Sequence, residues 1–263
     1  MAAQIEVFHA DSLAGPMKAV KAAFEARTPA VTVNLTTGRS QELAERILRG
    51  DRCDVFTPSA PAVVEKVLMT KKVAGAERAG ASWSVIFSAN EMVLITAKGN
   101  PRGIKKITDL TEPGIRFTRV TGEKDLATRR TIDFVRNVAS IEGKPEAAQK
   151  IIAGAIGDAS RVHTVPQTIE DVVTGKADAG VVYYSAAVNA KNTIDIQRFP
   201  AAVNISSEIR NAATVPATAK EPAAAIQFVR FLLSDDGRRI LEATGQPPIV
   251  PPIIAGTLPL ELK

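Results

Sequence analysis

Residue types able to do covalent or acid–base chemistry are sparse in this chain, which has two histidines, His9 and His163, and one cysteine, Cys53. An α/β-hydrolase needs its serine on a G-x-S-x-G elbow, and a zinc hydrolase needs two histidines one helical turn apart, as in H-E-x-x-H. Neither pattern occurs. His9 ends a strand-like run, where a structural or rim position suits it better than a general base. Glu123 and Asp125 carry carboxylates fit for proton transfer, but Lys124, Arg129 and Arg130 beside them read as a salt-bridged helix start. What recurs instead is a strand that stops, a small polar turn and a new helix: "HADSLAG", "TTGRSQE", "RVTGEKD" and "VVYYSAA". Hydroxyls and helix-start N–H groups donate hydrogen bonds without giving up a proton, which is the chemistry of holding an anion.

Four turns of this kind need strands and helices to position them. "QIEVFHA", "VTVNL" and "CDVFTP" read as strands, followed by the helices "PMKAVKAAFEA", "SQELAERILRG" and "APAVVEKVLMTKK". Met17, Val20 and Phe24 fall on one face of the first helix, and Leu43, Ile47 and Leu48 form the stripe of the second. Beyond residue 100 come the strand "IRFTRV", the helices "EKDLATRRTIDFVRNVA" and "PEAAQKIIAGAI", and "HTVPQTIEDVVTGK" leading into the buried run "ADAGVVYYSAAV". Leu126, Val135 and Val138 are the expected buried side of the long helix. Alternation of this sort predicts an α/β fold with mainly parallel sheets. In an open parallel sheet, ligands collect at the carboxyl ends of the strands, where all four turns fall.

The run "WSVIFSANEMVLIT" has no helix between its halves and reads as an extended crossing between lobes; "DIQRFPAAVNI" reads as the return. These predict a first lobe from both chain ends, residues 1–86 and 202–263, and an inserted lobe of residues 87–201. "GQPPIVPPI" reads as an extended surface segment without a PxxP recognition pattern.

Composition excludes several classes. A 263-residue chain with 45% hydrophobic and 23% charged residues is globular, and no window is apolar for the length of a membrane span. The formal charge is +5, but aromatics make up 5% and none interleave with Lys or Arg as nucleic-acid binding requires. Mild basicity favours a small anion instead. "VTGEK" lacks the spacing of a nucleotide-binding P-loop. One cysteine forms no disulfide framework or zinc site. Neither a cofactor nor a catalytic residue is expected. "MAAQIEV" reads as an initiator methionine before a mature chain whose secretory segment has been removed.

Each turn also has a purely structural reading. Ser12 and Ser40 could cap the helices that follow them, and the two tyrosines, Tyr183 and Tyr184, could be core residues with satisfied hydroxyls.

The fragments "VFHADSLAGPM", "TTGRSQELAERI", "CDVFTPSA", "FSANEMVLIT", "DAGVVYYSAAV" and "FPAAVNIS" together resemble the periplasmic molybdate/tungstate-binding proteins of ABC importers, a branch of the type II solute-binding proteins. The likeness runs in order along nearly the whole chain. It implies a two-lobed periplasmic-binding-protein fold with a ligand cleft between lobes, no enzyme activity, and delivery of a tetrahedral oxyanion to an ABC transporter permease, through which alone the protein meets the membrane. By position it implies ligand contacts from Ser12, from Thr37 with Gly38, from the turn Thr121-Gly122 and from Tyr183; their neighbours Asp11, Glu123 and Tyr184 are further candidates, and Arg39 is a candidate charged contact at the rim. No protein ligands to a metal are implied beyond the metal centre of the bound oxyanion. Val182 stands where an archaeal-type branch has a carboxylate, and Arg119, Lys124 and Arg129 make the loop of the inserted lobe cationic. Sulfate, phosphate or a small organic acid is therefore an alternative ligand. A transferase resembling porphobilinogen deaminase, with its cofactor on Cys53, is a distant alternative, and no helix-turn-helix precedes the lobes to suggest a transcriptional effector domain.

Overall fold

The computed structural model describes residues 3–122, 126–157 and 161–262. The chain divides into two compact units, Met1–Ala89 with Ile209–Lys263, and Asn90–Glu208. The first unit opens with β1 (Ala3–Ala10), a 3-10 turn (Asp11–Leu13), α1 (Ala14–Arg27), β2 (Val31–Gly38), α2 (Ser40–Leu48) and β3 (Val55–Thr57). The short α3 (Pro61–Val63) widens into a π turn (Val64–Leu68), and β4 (Trp83–Ala89) closes this half. The second unit holds β5 (Met92–Ala97), β6 (Phe117–Arg119), α4 (Leu126–Ile141), α5 (Ala147–Ala153), α6 (Val165–Val173), β7 (Ala179–Tyr183), α7 (Tyr184–Asn189) and β8 (Ile194–Gln197). The chain returns to the first unit with β9 (Arg210–Ala213), α8 (Pro222–Leu233), α9 (Asp235–Ala243) and β10 (Pro248–Gly256).

In the first unit β1 lies between β2 and β3, parallel to both. Its alternation sorts side chains to two cores, as a period of two requires. Ile5 and Val7 join Met17, Val20 and Phe24 of α1 and Phe228 of α8, with the Phe24 and Phe228 rings edge to face at 5.2 Å. Phe8 joins Leu43 and Ile47 of α2, Phe56 and Leu68 on the other side. Each fully buried phenylalanine contributes about 1.5–3 kcal/mol, so both sheet faces hold the strand ends in place.

In the second unit the strand order is β6-β7-β5-β8. Val93, Ile95 and Val182 pack with Val172 and Ile194, while Phe134, Val135 and Val138 of α4 are fully buried. The start of α6 is fixed by a capping box between Thr164 and Gln167.

The expectation of mainly parallel sheets is corrected. Parallel pairing is confined to β2-β1-β3 and to β6-β7, whereas β10-β4-β9, β5-β7 and β5-β8 are antiparallel. The physical reason is that the crossing run supplies two strands: β4 pairs within the first unit and β5 within the second, and neither belongs to a strand–helix–strand repeat. Continuous apolar runs are buried on both faces whatever their direction, so burial alone does not reveal it. "GQPPIVPPI" is part of the edge strand β10, with the chain bulged between Pro248 and Ile253.

Candidate functional site

The carboxyl ends of β1 and β2 carry the first cluster. In register, His9 lies opposite Thr37 and Ala10 opposite Gly38, so the turns that follow are neighbours. Ser12 is exposed on the 3-10 turn and its hydroxyl makes no hydrogen bond among the described residues, while its carbonyl accepts from Gln246 Nε2 at 3.3 Å. Neither α1 nor α2 has a side-chain N-cap. Ser12 and Ser40 therefore do not act as caps: Ser40 Oγ accepts from the Ser59 N–H at 3.2 Å, tying the turn after β2 to the turn after β3. First-turn N–H groups without a side-chain cap are an anion's natural partners.

Thr37 is exposed, but its hydroxyl is engaged, lying 2.9 Å from His9 Nε2. His9 is 1% exposed and its Nδ1 lies 3.0 Å from the Ala10 carbonyl. Burial holds its pKa below the ordinary histidine value, against the opposing pull of that carbonyl and of Asp11. Arg39 is 81% exposed and pairs with Glu42 at 3.6 Å, while Asp11 is exposed and its carbonyl closes the following turn onto Ala14 N–H.

The carboxyl ends of β6 and β7 carry the second cluster. These strands are parallel, with Arg119 opposite Val181, so Thr121 and Tyr183 emerge from neighbouring strand ends. Thr121 is buried, bridges the backbone of His163 and donates its hydroxyl to the Arg161 carbonyl. Tyr183 is half-buried; its phenolic oxygen accepts from Arg130 Nη1 at 3.2 Å, and Arg130 Nη2 donates to the Glu208 carbonyl at 3.0 Å. An oxygen that accepts from a guanidinium keeps its own proton free to donate. Arg119 is 8% exposed; burial alone lowers its pKa, and it donates to the Val120 carbonyl. With Thr121, Gln149, Ile152 and Ile156 it lines a cleft of about 650 Å³ within this unit.

The buried side-chain polar atoms without a partner among the described residues are Arg119 Nε, Thr128 Oγ1, Arg130 Nε and Thr131 Oγ1, all at the end of β6 or on α4. Native interiors leave few such groups, and they concentrate where function uses them. Gly122 follows Thr121 in this loop, while Glu123 lies outside the described residues.

Tyr184 does not share the setting of Tyr183. Its N–H donates to the Glu91 carbonyl at 2.8 Å and its ring lies 4.4 Å from the Arg198 guanidinium, which pairs with the buried Glu91 carboxylate. Sequence reasoning passed over Arg130 as a local ion-pair partner and His9 as a rim residue. The signal for His9 was its position opposite Thr37 in two adjacent strands. Cys53 is buried, burial pushes its thiol far above the ordinary range, and the thiol donates to the Val55 carbonyl, so it offers no accessible nucleophile.

Two α/β units, each with hydroxyls and N–H groups gathered at strand ends, define a binding protein. Residues 5–246 match the model of the bacterial extracellular solute-binding proteins, and the chain belongs to that family. It is similar to the molybdate-binding protein ModA of Mycobacterium tuberculosis, at 31% identity over 93% of this chain and 84% of the relative. Among solved structures it is similar to a substrate-binding domain assigned to a molybdenum ABC transporter of Clostridium difficile (TM-score 0.75, 20% identity, 94% of this chain and 99% of that one). It is also similar to the sulfate-binding protein SubI of Mycobacterium tuberculosis (TM-score 0.63, 18% identity, 95% and 88%). The structural likenesses establish the two-lobed binding-protein fold. No helix among the described residues is long and apolar enough to cross a membrane.

Proposed function

We propose that the protein is an extracytoplasmic, periplasmic receptor that captures a small tetrahedral oxyanion, molybdate or tungstate foremost, and delivers it to an ABC permease. Ser12 carries this reading: an exposed hydroxyl with no partner among the described residues stands in the turn after β1, whose last residues His9 and Ala10 are in register with Thr37 and Gly38, and neither helix start that follows has a side-chain cap. The ModA relative, whose name states its ligand, supports the choice of oxyanion. Tyr183, oriented by Arg130, supplies a further donor, and Arg119, Arg130 and Gly122 place positive charge and backbone at the second strand-end cluster. Binding without chemistry suffices for transport: donors replace the anion's hydration shell, and the liganded conformation is favoured by its differential affinity.

Calorimetry with molybdate, tungstate, sulfate and phosphate tests the reading. Saturable molybdate or tungstate binding is expected, with Ser12→Ala weakening it about tenfold. No binding of either metal oxyanion would overturn the preferred ligand. Sulfate binding alone would favour the second reading, the same receptor serving another small anion, for which the likeness to SubI is the supporting observation.

A further inference from the structure

We propose that His9 sets the hydrogen-bond polarity of Thr37, so that the first unit engages a fully deprotonated oxyanion with uptake of one proton on the His9 ring. The inference rests on the oxyanion reading above and asks which protonation state of the ligand the site prefers.

The argument is an accounting of protons. The Ala10 carbonyl oxygen, 3.0 Å from His9 Nδ1, has only lone pairs, so Nδ1 carries the hydrogen. In the neutral ring Nε2 is then bare, and the Thr37 hydroxyl 2.9 Å away satisfies it by donating. Thr37 lies 3.4 Å from Nδ1, too far to compete with the carbonyl there. A threonine has a single hydroxyl proton, so the exposed side of Thr37 presents lone pairs alone. Molybdate, tungstate and sulfate likewise present only lone pairs, and two such oxygens repel.

Two rearrangements relieve the conflict. Thr37 can turn its proton to the anion, which strands the bare Nε2 of a ring that is 1% exposed and costs about tenfold to a hundredfold in affinity. Alternatively His9 takes up a proton from solvent, Nε2–H donates to Thr37 Oγ1, and the Thr37 O–H, keeping its proton, turns to donate a hydrogen bond to the ligand. The surroundings support the second route. Asp11, at the end of β1, favours the imidazolium, as does the Ala10 carbonyl, while burial opposes it and keeps the ring neutral until the ligand arrives. Of the charged residues on the neighbouring elements, Arg39 after β2 pairs with Glu42 of α2, Arg46 of α2, whose guanidinium lies over the Phe8 ring, pairs with Asp51, and Lys21 of α1 pairs with Glu25. The strand β3 presents Thr57 opposite His9, and the α9–β10 connection presents Gln246, both uncharged. Asp11, an acidic residue that an anion site would otherwise exclude, is thereby accounted for as support for the ring. A ligand that brings its own proton, such as hydrogen phosphate, would donate it to Thr37 and leave His9 neutral.

The test is calorimetry of the intact protein with sodium molybdate in buffers of different ionisation enthalpy over about pH 5.5–8, which counts protons taken up. The expected result is proton uptake on molybdate binding that peaks between the pKa of His9 in the free and in the liganded protein, with affinity falling as pH rises through that window. Hydrogen phosphate should show no such uptake. Both His9→Gln and Thr37→Val should abolish the uptake and flatten the pH profile, whereas Thr37→Ser should retain both. Thr37 is exposed, so its variants carry the test should His9→Gln fail to fold. Molybdate binding with no proton uptake, or with uptake unchanged in Thr37→Val, overturns this inference and leaves the oxyanion reading intact. Absence of binding by molybdate, tungstate, sulfate and phosphate overturns both.

Discussion

At its strand ends the first unit offers neutral groups, the Ser12 hydroxyl and the Thr37 hydroxyl backed by His9, while its nearby arginine, Arg39, is exposed and paired with Glu42. The second unit offers guanidiniums: Arg130 behind the Tyr183 hydroxyl, and Arg119 buried in the wall of a cleft. The strand starts contrast in the opposite sense. Just before β3, the fully buried Asp54 accepts from the N–H groups of Glu6, Lys220 and Glu221 at 2.7–2.8 Å and from Arg52. Just before β7, Asp178 accepts from the backbone and side chain of Arg116, whose guanidinium is half exposed. One unit thus keeps its buried charge at the base of the sheet and neutral donors at the ligand end, and the other places cations at the ligand end. Fixed charge attracts any anion, whereas neutral donors of set polarity distinguish one anion from another.

The largest effect should come from the bases. Asp54→Ala removes the acceptor that ties β1 and β3 to the start of α8, stranding three N–H groups, and should cost about 3–5 kcal/mol of stability. Asp178→Ala, whose partner is half in water, should cost about 1 kcal/mol. Chemical denaturation of both variants compares them, and equal losses would remove the contrast.

Next comes affinity. Arg130→Met takes away a guanidinium and the orientation of Tyr183, and should weaken molybdate, tungstate and sulfate alike by about thirtyfold. If calorimetry instead shows one of the three weakened selectively, discrimination lies in the second unit and the division of labour is reversed.

A smaller effect separates two glycines that the sequence alone does not distinguish. A Cβ at Gly180, inside β7, would stand 3.0 Å from Thr168 Cγ2 and 3.2 Å from Thr118 Cγ2, both on stiff β-branched side chains held by packing. At Gly38, ending β2, it would stand 3.2 Å from atoms of Leu43, which has more freedom to shift. Gly180→Ala should cost about 1–2 kcal/mol and Gly38→Ala about 0.5 kcal/mol or less, read from thermal melts. Comparable losses would show that Leu43 is as firmly held as the threonines.

The glycine pair shows where sequence reading stops. Strand–helix alternation and the buried stripes of Met17, Val20 and Phe24 were legible because period and apolarity are local properties. The direction of β5 was not, because an apolar run such as "MVLIT" is buried equally well in either orientation. At the site, the strand-end turns were legible from their glycine and hydroxyl residues. That the Thr37 hydroxyl meets His9, that Thr121 spends its proton on the Arg161 carbonyl, and that Tyr183 accepts from Arg130 depend on contacts between residues far apart in sequence.

The smallest effect tests the neutral unit through pH. His9 is held below its unfolded value, near 6.5, chiefly by burial. Folding therefore favours the neutral ring, and its stabilising contribution is complete above pH 6.5 or so and is lost as pH falls toward the folded value. For the free protein the loss should appear as a lower melting temperature in acid that His9→Gln diminishes. With saturating molybdate the slope attributable to His9 should shrink or reverse, because the bound anion prefers the imidazolium that folding alone disfavours. Melting curves of wild type and His9→Gln, each with and without molybdate, separate the two. An acid loss from His9 that molybdate leaves untouched would mean that the ring answers only to burial, and that the neutral unit distinguishes anions by fit without a proton.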